Sequence, residues 1–113
     1  MDARLPAHLE VSALIRQVGA DGGFATVLAK GERDAGTILA VLTHNGAGTR
    51  IYERMPELDG TRPWRCTRRE DPAKPGDLRD YLDRRKAQDP DVWVVELDIA
   101  NAERFIGVAP EQG

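Results

Sequence analysis

The sequence predicts a small α+β domain in which an antiparallel sheet of four to five strands carries about three helices, packed mainly on one face. Three features lead to this fold class. Residues 37–43 form the most apolar run and are apolar at odd and even positions, as in a central strand covered on both faces. Glycine-containing connections separate this run from two further strand-like runs. Segments with helical spacing of apolar residues lie before and after the strands.

The first predicted element is a helix between residues 5 and 18. Gly19 and the turn-forming residues 21–23 supply its end. Alternation of apolar residues from Leu9 to Ile15 leaves a strand open as the alternative. The helical interpretation rests on residues that share one face: Val11, Leu14, Ile15 and Val18.

Three consecutive strands are expected next, over residues 24–30, 37–43 and 50–55. The two connections between them are short and contain glycine, which is the pattern of antiparallel hairpins. We therefore predict a three-stranded meander with residues 37–43 at its centre. The connection 31–36 lacks the spacing of a phosphate-binding loop and leads into a strand, so a tight turn is expected there.

The second half of the chain predicts one edge strand, a helix, another strand and a short closing helix. In residues 64–68, Trp64 and Cys66 share one face, while the other face is polar and basic, as edge strands often are. Asp77 is expected to cap the helix, whose buried stripe contains Leu78, Tyr81 and Leu82. Residues 92–97 form the strand, and Asp98 is expected to cap the closing helix, whose apolar side comprises Ile99, Ala102, Phe105 and Ile106.

Length and composition predict one domain over residues 1–113, with an ordered core of about 5–108 and a tail at 109–113. Cys66 is the only cysteine, so an intrachain disulfide is excluded. No run of about 18 apolar residues exists, so neither a membrane span nor a signal peptide is expected, and the cytoplasm is the expected compartment. Residues 50–86 are net basic and the remainder is acidic, which we interpret as an ordinary solvated surface.

Four segments resemble the bacterial family called domain of unknown function 1491. They are residues 11–16, the connection Gly31-x-x-Asp34-Ala35-Gly36, Tyr52, and residues 89–96, which read DPDVWVVE. The resemblance extends over roughly residues 5–106, and Glu32 departs from the aspartate expected in the glycine connection. It implies a compact α+β protein and, since no activity is attached to the family, no catalytic residues.

The residues themselves offer little chemistry for an enzyme, so no catalytic residue, metal site or cofactor is predicted. A thiolate pair of Cys66 with His44 conflicts with the alternation that places Cys66 beside Trp64 in the core. Glu96 and Asp98 lie on one side of a strand and can bind a metal or an arginine, but a solvated pair is more common.

A non-enzymatic binding or regulatory module, contacting a protein or a small polar ligand, is the favoured function. Tyrosine, tryptophan and arginine are enriched at contact hot spots, and they cluster on two neighbouring strands. Self-association through an edge strand is a further possibility. The predicted contact residues are Arg50, Tyr52, Arg54, Trp64, Arg65, Arg68 and Arg69.

Nucleic-acid contact is the alternative function, through the segment 62–74. Arginine and lysine side chains there can meet phosphates, and Trp64 can stack on an unpaired base. The sequence pI of about 5.4 argues against it, because nucleic-acid-binding domains are usually strongly basic. The cations of this segment are Arg62, Arg65, Arg68, Arg69 and Lys74.

Overall fold

A computed structural model of the chain describes residues 5–54 and 62–108. It contains two α-helices, α1 (Ala7–Ala20) and α2 (Asp77–Gln88), and a 3-10 helix (Ala102–Ile106). The strands are β1 (Phe24–Ala29), β2 (Ile38–His44), β3 (Ala47–Arg54), β4 (Trp64–Arg69) and β5 (Trp93–Asp98). Met55, the predicted end of the third strand, and the predicted tail at 109–113 lie outside the described residues. No helix in the described part of the chain is long and apolar enough to cross a membrane.

The five strands form one mixed sheet with the order β1-β5-β2-β3-β4. The α+β class is confirmed, but the prediction of an antiparallel sheet is wrong, because β2 and β5 are parallel. The predicted meander is also wrong in one respect, because β5 lies between β1 and β2. β5 runs antiparallel to β1 and parallel to β2, with Val95 facing Val27 on one side and Ala40 on the other. Connection length did not reveal this insertion, because a short link can pass over one intervening strand as well as form a hairpin.

β2 is the central strand that its composition predicts, with six of its seven residues buried. The sheet separates two apolar layers. α1 and the 3-10 helix pack on the first, beside Ala40, Leu42, Val95 and Leu97. The second contains Leu39, Val41, Ile51, Val92 and Val94, and α2 covers it with its predicted stripe of Leu78, Tyr81 and Leu82. The prediction that the helices gather mainly on one face is therefore corrected, since α2 lies opposite α1.

Two predicted helix caps are also corrected. α2 begins at Asp77 itself, after Gly76, which adopts a left-handed conformation at φ 89°. The carboxylate of Asp98 accepts a hydrogen bond from the backbone N–H of Asn45 at 2.9 Å, so it stabilises the β2–β3 turn rather than a helix. That turn consists of Asn45 and Gly46, both with positive φ, as two-residue hairpin loops require.

The connection between β1 and β2 crosses the start of β5 at very short range. A Cβ atom at Gly31 would lie 2.2 Å from the carbonyl oxygen of Asp91, and one at Gly36 would lie 2.4 Å from it. The backbone N–H of Glu32 donates to the same oxygen at 2.9 Å, and the indole of Trp93 donates to the carbonyl of Glu32 at 2.6 Å. Glycine is needed at both positions because a Cβ atom on either residue would collide with the backbone of Asp91.

Candidate functional site

Three of the predicted contact residues alternate along β3 and therefore share one face, the face that carries α1 and the 3-10 helix. Arg50, Tyr52 and Arg54 each reach a carboxylate on a neighbouring element. Tyr52 is only 2% exposed, so its ring belongs to the core and not to the surface. If β3 makes a surface contact, its arginines, Arg50 and Arg54, must therefore make it.

Glu103, in the 3-10 helix, is the centre of a buried polar network. It is 7% exposed and accepts hydrogen bonds from Arg50 at 2.7 and 2.5 Å and from the Tyr52 hydroxyl at 3.1 Å. The hydrogen bond from Arg50 lowers the pKa of Glu103, and that same bond raises the pKa of Arg50. Burial of the ring, followed by the nearby Glu103 charge, raises the pKa of Tyr52 to about 12. The network fastens the 3-10 helix to β3.

A second network occupies the opposite face of the sheet around Glu53. This carboxylate is 5% exposed and accepts hydrogen bonds from Thr67 at 2.6 Å, from Arg85 at 3.0 Å and from the Tyr81 hydroxyl. Burial, followed by the hydrogen bond to Glu53, raises the pKa of Tyr81. Because Tyr81 and Arg85 both lie on α2, this network holds α2 against β3 and β4.

β4 is an edge strand, as its basic composition predicts. The side chains of Trp64 and Cys66 on β4 pack against the apolar layer that α1 covers. The guanidinium of Arg54 lies over the Trp64 ring, 4.8 Å from its centroid, and that of Arg68 lies 4.2 Å from the centroid of Tyr81. Arg65 and Arg69, the other predicted contact residues on this strand, also make polar or electrostatic interactions.

Trp64 forms one wall of a cleft of about 260 Å³, which we call the Trp64 cleft. Arg54 lies beside it and donates to the carboxylate of Glu10 on α1 at 2.7 Å. Leu14 of α1 and Phe105 of the 3-10 helix supply apolar surface to the other walls. The cleft therefore combines an aromatic ring, an ion pair and an apolar interior.

The described residues do not assemble the catalytic groups considered from sequence. Cys66 lies opposite Tyr52, which pairs with Ala40, four residues away from His44 along β2. This separation corresponds to about 13 Å at the usual rise per strand residue, too far for a thiolate pair. Within residues 5–54 and 62–108, no group of three or more His, Cys, Asp or Glu side chains could hold a metal ion.

Sequence reasoning missed the carboxylates that organise these surfaces, Glu10, Glu53 and Glu103. Glu53 had a signal, since alternation along β3 puts it on the same face as the apolar Ile51. Glu103 had none, because it lies in a 3-10 helix of five residues, too short for its buried face to show in the spacing. Glu10 is at an ordinary helix position, and only the tertiary contact with Arg54 distinguishes it.

Comparisons with known proteins identify close structural relatives. A family model described as "Protein of unknown function (DUF1491)" matches residues 5–107. A crystal structure of a DUF1491 family protein from Caulobacter crescentus CB15 is 32% identical, with a TM-score of 0.80, and the match covers 96% of this chain and all of that one. An NMR structure of a DUF1491 family protein from the same strain gives the same identity, TM-score and coverage of this chain, with 97% of its own chain covered.

A third relative is a protein from A. tumefaciens with a known solution structure. It is 26% identical, has a TM-score of 0.77, and the match covers 96% of this chain and 98% of that one. A search of curated proteins finds no match.

Proposed function

The chain belongs to the DUF1491 family, whose description assigns no activity, and we propose that it is a non-enzymatic binding module that contacts a protein partner at the Trp64 cleft. The observation that carries this proposal is the half-buried Trp64 ring stacked with Arg54 at an open cleft. Tryptophan and arginine are the residue types that most often dominate binding energy at protein interfaces.

The size of the Trp64 cleft favours a protein over a free small molecule. Pockets that enclose whole small-molecule ligands usually measure about 300–1,000 Å³, and this cleft has about 260 Å³. Such a volume accommodates one protruding apolar side chain of a partner. The ion pair of Arg54 with Glu10 at the same site can hydrogen-bond to the backbone next to that side chain.

The buried network around Glu103 supports the proposal because it holds the walls of the cleft in place. Arg50 and Tyr52 connect β3 to the 3-10 helix through Glu103, and Phe105 of that helix lines the cleft. A wall that is already ordered loses little conformational entropy when a partner binds.

Affinity purification from a lysate of the source organism, with and without nuclease, tests the proposal. Trp64→Leu should lose a protein that the wild type retains, because the aromatic anchor is gone. Leu9→Ala is the control, since Leu9 is a 45% exposed apolar residue on α1 that does not line the cleft. Thermal unfolding followed by circular dichroism would verify that both variants fold.

Equal retention of the same protein by Trp64→Leu and wild type would overturn the proposed contact.

The purification with nuclease distinguishes the proposed protein contact from the alternative function, nucleic-acid contact through residues 62–74. Retained RNA or DNA that is released by modest salt, and lost in a variant with Arg65, Arg68 and Arg69 replaced by alanine, would favour that alternative.

We also propose a cytoplasmic location and a second form of protein contact. Cys66 is half-buried and forms no disulfide, which is compatible with a reducing compartment. Among the described strands, β1 lies at an edge of the sheet with one side unpaired, and it carries exposed apolar residues, so a second copy of the chain can pair with it.

A further inference from the structure

A second and larger cleft lies between α1, β1 and the connection that follows β1. Its volume is about 520 Å³, within the range of pockets that hold small molecules. Val11, Ile15 and Trp93 contribute its apolar interior. Three basic side chains from two segments line it as well, namely His8, Lys30 and Arg33, and we call it the basic cleft.

The positive charge of the basic cleft is not neutralised within the described part of the chain. Neither Lys30 nor Arg33 forms an ion pair with a described residue, and no carboxylate among those residues lines the cleft. The neighbouring acid, Glu32, is engaged elsewhere, because its carboxylate accepts the backbone N–H groups of Asp34 and Ala35 at 2.9 and 2.5 Å. Two cations thus face a common apolar cavity without a counter-ion among the described residues.

The segment that carries these cations is held firmly to its neighbours. The backbone N–H of Ala7 donates to the carbonyl of Asp34 at 3.0 Å, and that of His8 donates to the carbonyl of Arg33 at 2.9 Å. The ring Nδ1 of His8 also donates to that carbonyl at 3.0 Å, which leaves Nε2 as its free ring nitrogen. Because these first-turn N–H groups are already bonded, a ligand here depends on the side chains and not on the helix terminus.

We propose that the basic cleft binds a small organic anion. Lys30 and Arg33 hold its acidic group, and the apolar body of the ligand lies against Val11, Ile15 and Trp93. A carboxylate, sulfonate or phosphate group meets the charge requirement, and the volume admits one or two rings. This site is separate from the Trp64 cleft and does not depend on the proposed protein contact.

Two fluorescent probes of nearly equal shape test the proposal. Anilinonaphthalene sulfonate carries an acidic group on an aromatic body, and N-phenyl-naphthylamine is the same body without the charge. The wild type should bind the sulfonate more tightly. Replacing both cations (Lys30→Gln with Arg33→Gln) should weaken binding of the sulfonate roughly tenfold and change binding of the neutral probe less than about twofold.

The matched control is Arg16→Gln with Arg84→Gln, which removes the same charge from exposed positions outside the cleft. It should leave both affinities close to those of the wild type. Equal weakening by the control pair would show that the effect comes from net charge and would overturn the site. Equal sulfonate affinity in the wild type and the Lys30 and Arg33 double variant would overturn it too, as would failure of the wild type to bind the sulfonate.

The two tryptophans locate the bound probe independently. Trp93 contributes to the basic cleft and Trp64 to the other cleft, so their indole N–H signals in NMR spectra report on separate sites. Titration with the sulfonate should shift the Trp93 signal with the affinity measured by fluorescence. A shift of the Trp64 signal alone would place the anion in the wrong cleft and refute the proposal.

Discussion

At the scale of single residues, Glu103 is expected to have a large effect on stability. Glu103→Gln removes the charge that pairs with Arg50, whose side chain is only 15% exposed, and so leaves a mostly buried guanidinium without a counter-ion. We expect the free energy of unfolding to fall by about 2–3 kcal/mol at neutral pH. Urea denaturation measures it.

Asp83→Asn is the control for Glu103→Gln, because Asp83 pairs with Lys86 on the surface at 3.5 Å. Surface pairs contribute roughly 0–1 kcal/mol, so the stability of this variant should remain near that of the wild type.

The pH dependence of the difference between Glu103→Gln and the wild type supplies a further check. The lowered pKa of Glu103 stabilises the folded state above the ordinary carboxyl pKa and ceases to do so as the pH falls through the folded value. The two proteins should therefore converge in acid, and a constant difference would contradict this account.

Tyr52 should make the fold sensitive to alkali. Its pKa is raised from 10.0 to about 12, so between these values the unfolded chain loses the phenol proton while the folded chain keeps it. The stabilisation that results from the raised pKa of Tyr52 is complete below pH 10 and declines as the pH rises from 10 to about 12. Tyr52→Phe should show a smaller decline than the wild type when unfolding is followed at several pH values.

Tyr81→Phe serves as a comparison for Tyr52→Phe, because the Tyr81 pKa is also raised. Each substitution should remove part of the decrease in the free energy of unfolding at alkaline pH. Parallel pH profiles of wild type and Tyr52→Phe would show that the hydroxyl of Tyr52 does not titrate as inferred.

Tyr52 also shows what residue patterns reveal and what they omit. Alternation along β3 places Arg50, Tyr52 and Arg54 on one face, because they are two residues apart. It did not reveal that the 3-10 helix covers this face, because that helix is too short to leave a periodic signal and its carboxylate is the partner of two of these residues. Arg54 and Trp64 remain together at an open cleft.

At the scale of elements, the connection between β1 and β2 fixes the position of β5. Gly36→Ala would place a methyl group 2.4 Å from the carbonyl oxygen of Asp91, a backbone atom already hydrogen-bonded to Glu32. Either the connection or the start of β5 must shift. We expect a loss of about 1–3 kcal/mol of stability, measured by chemical denaturation.

Gly19→Ala is the matched control for Gly36→Ala. Gly19 lies within α1, and a Cβ atom there meets nothing within 4 Å. Alanine has the higher helix propensity, so this variant should be about 0.5–1 kcal/mol more stable than the wild type. Destabilisation by both substitutions to a similar extent would contradict the claim that close approach to Asp91 is the cause.

The same connection explains why elements were easier to predict than their arrangement. The apolar spacing of α1 and the doubly apolar character of β2 depend on local sequence, and both elements form where these patterns place them. Strand order depends on contacts between distant segments. The sequence shows the two glycines, Gly31 and Gly36, but no local pattern identifies Asp91 as the residue that they approach.

At the scale of the whole molecule, the two sheet edges differ in how well they resist pairing with another chain. β4 carries Arg65, Arg68 and Arg69, and charged side chains discourage the addition of a strand. β1 has no charged residue, and Phe24, at 74% exposed, and Leu28, at 46%, lie uncovered on it. A second copy of the chain should therefore add at β1 and not at β4.

Thr26→Lys tests this difference, because it adds a charge at the centre of β1. Thr26 is exposed and pairs with Glu96 of β5, so the new lysine faces an opposite charge and should not disturb the fold. We expect sedimentation equilibrium to show concentration-dependent dimers of the wild type and at least a roughly tenfold weaker association of the variant. Ala87→Lys, an exposed position on α2, adds the same charge and should dimerise like the wild type. If the wild type stays monomeric at high concentration, the edge of β1 is not a contact between copies, and its exposed apolar residues must be explained without self-association.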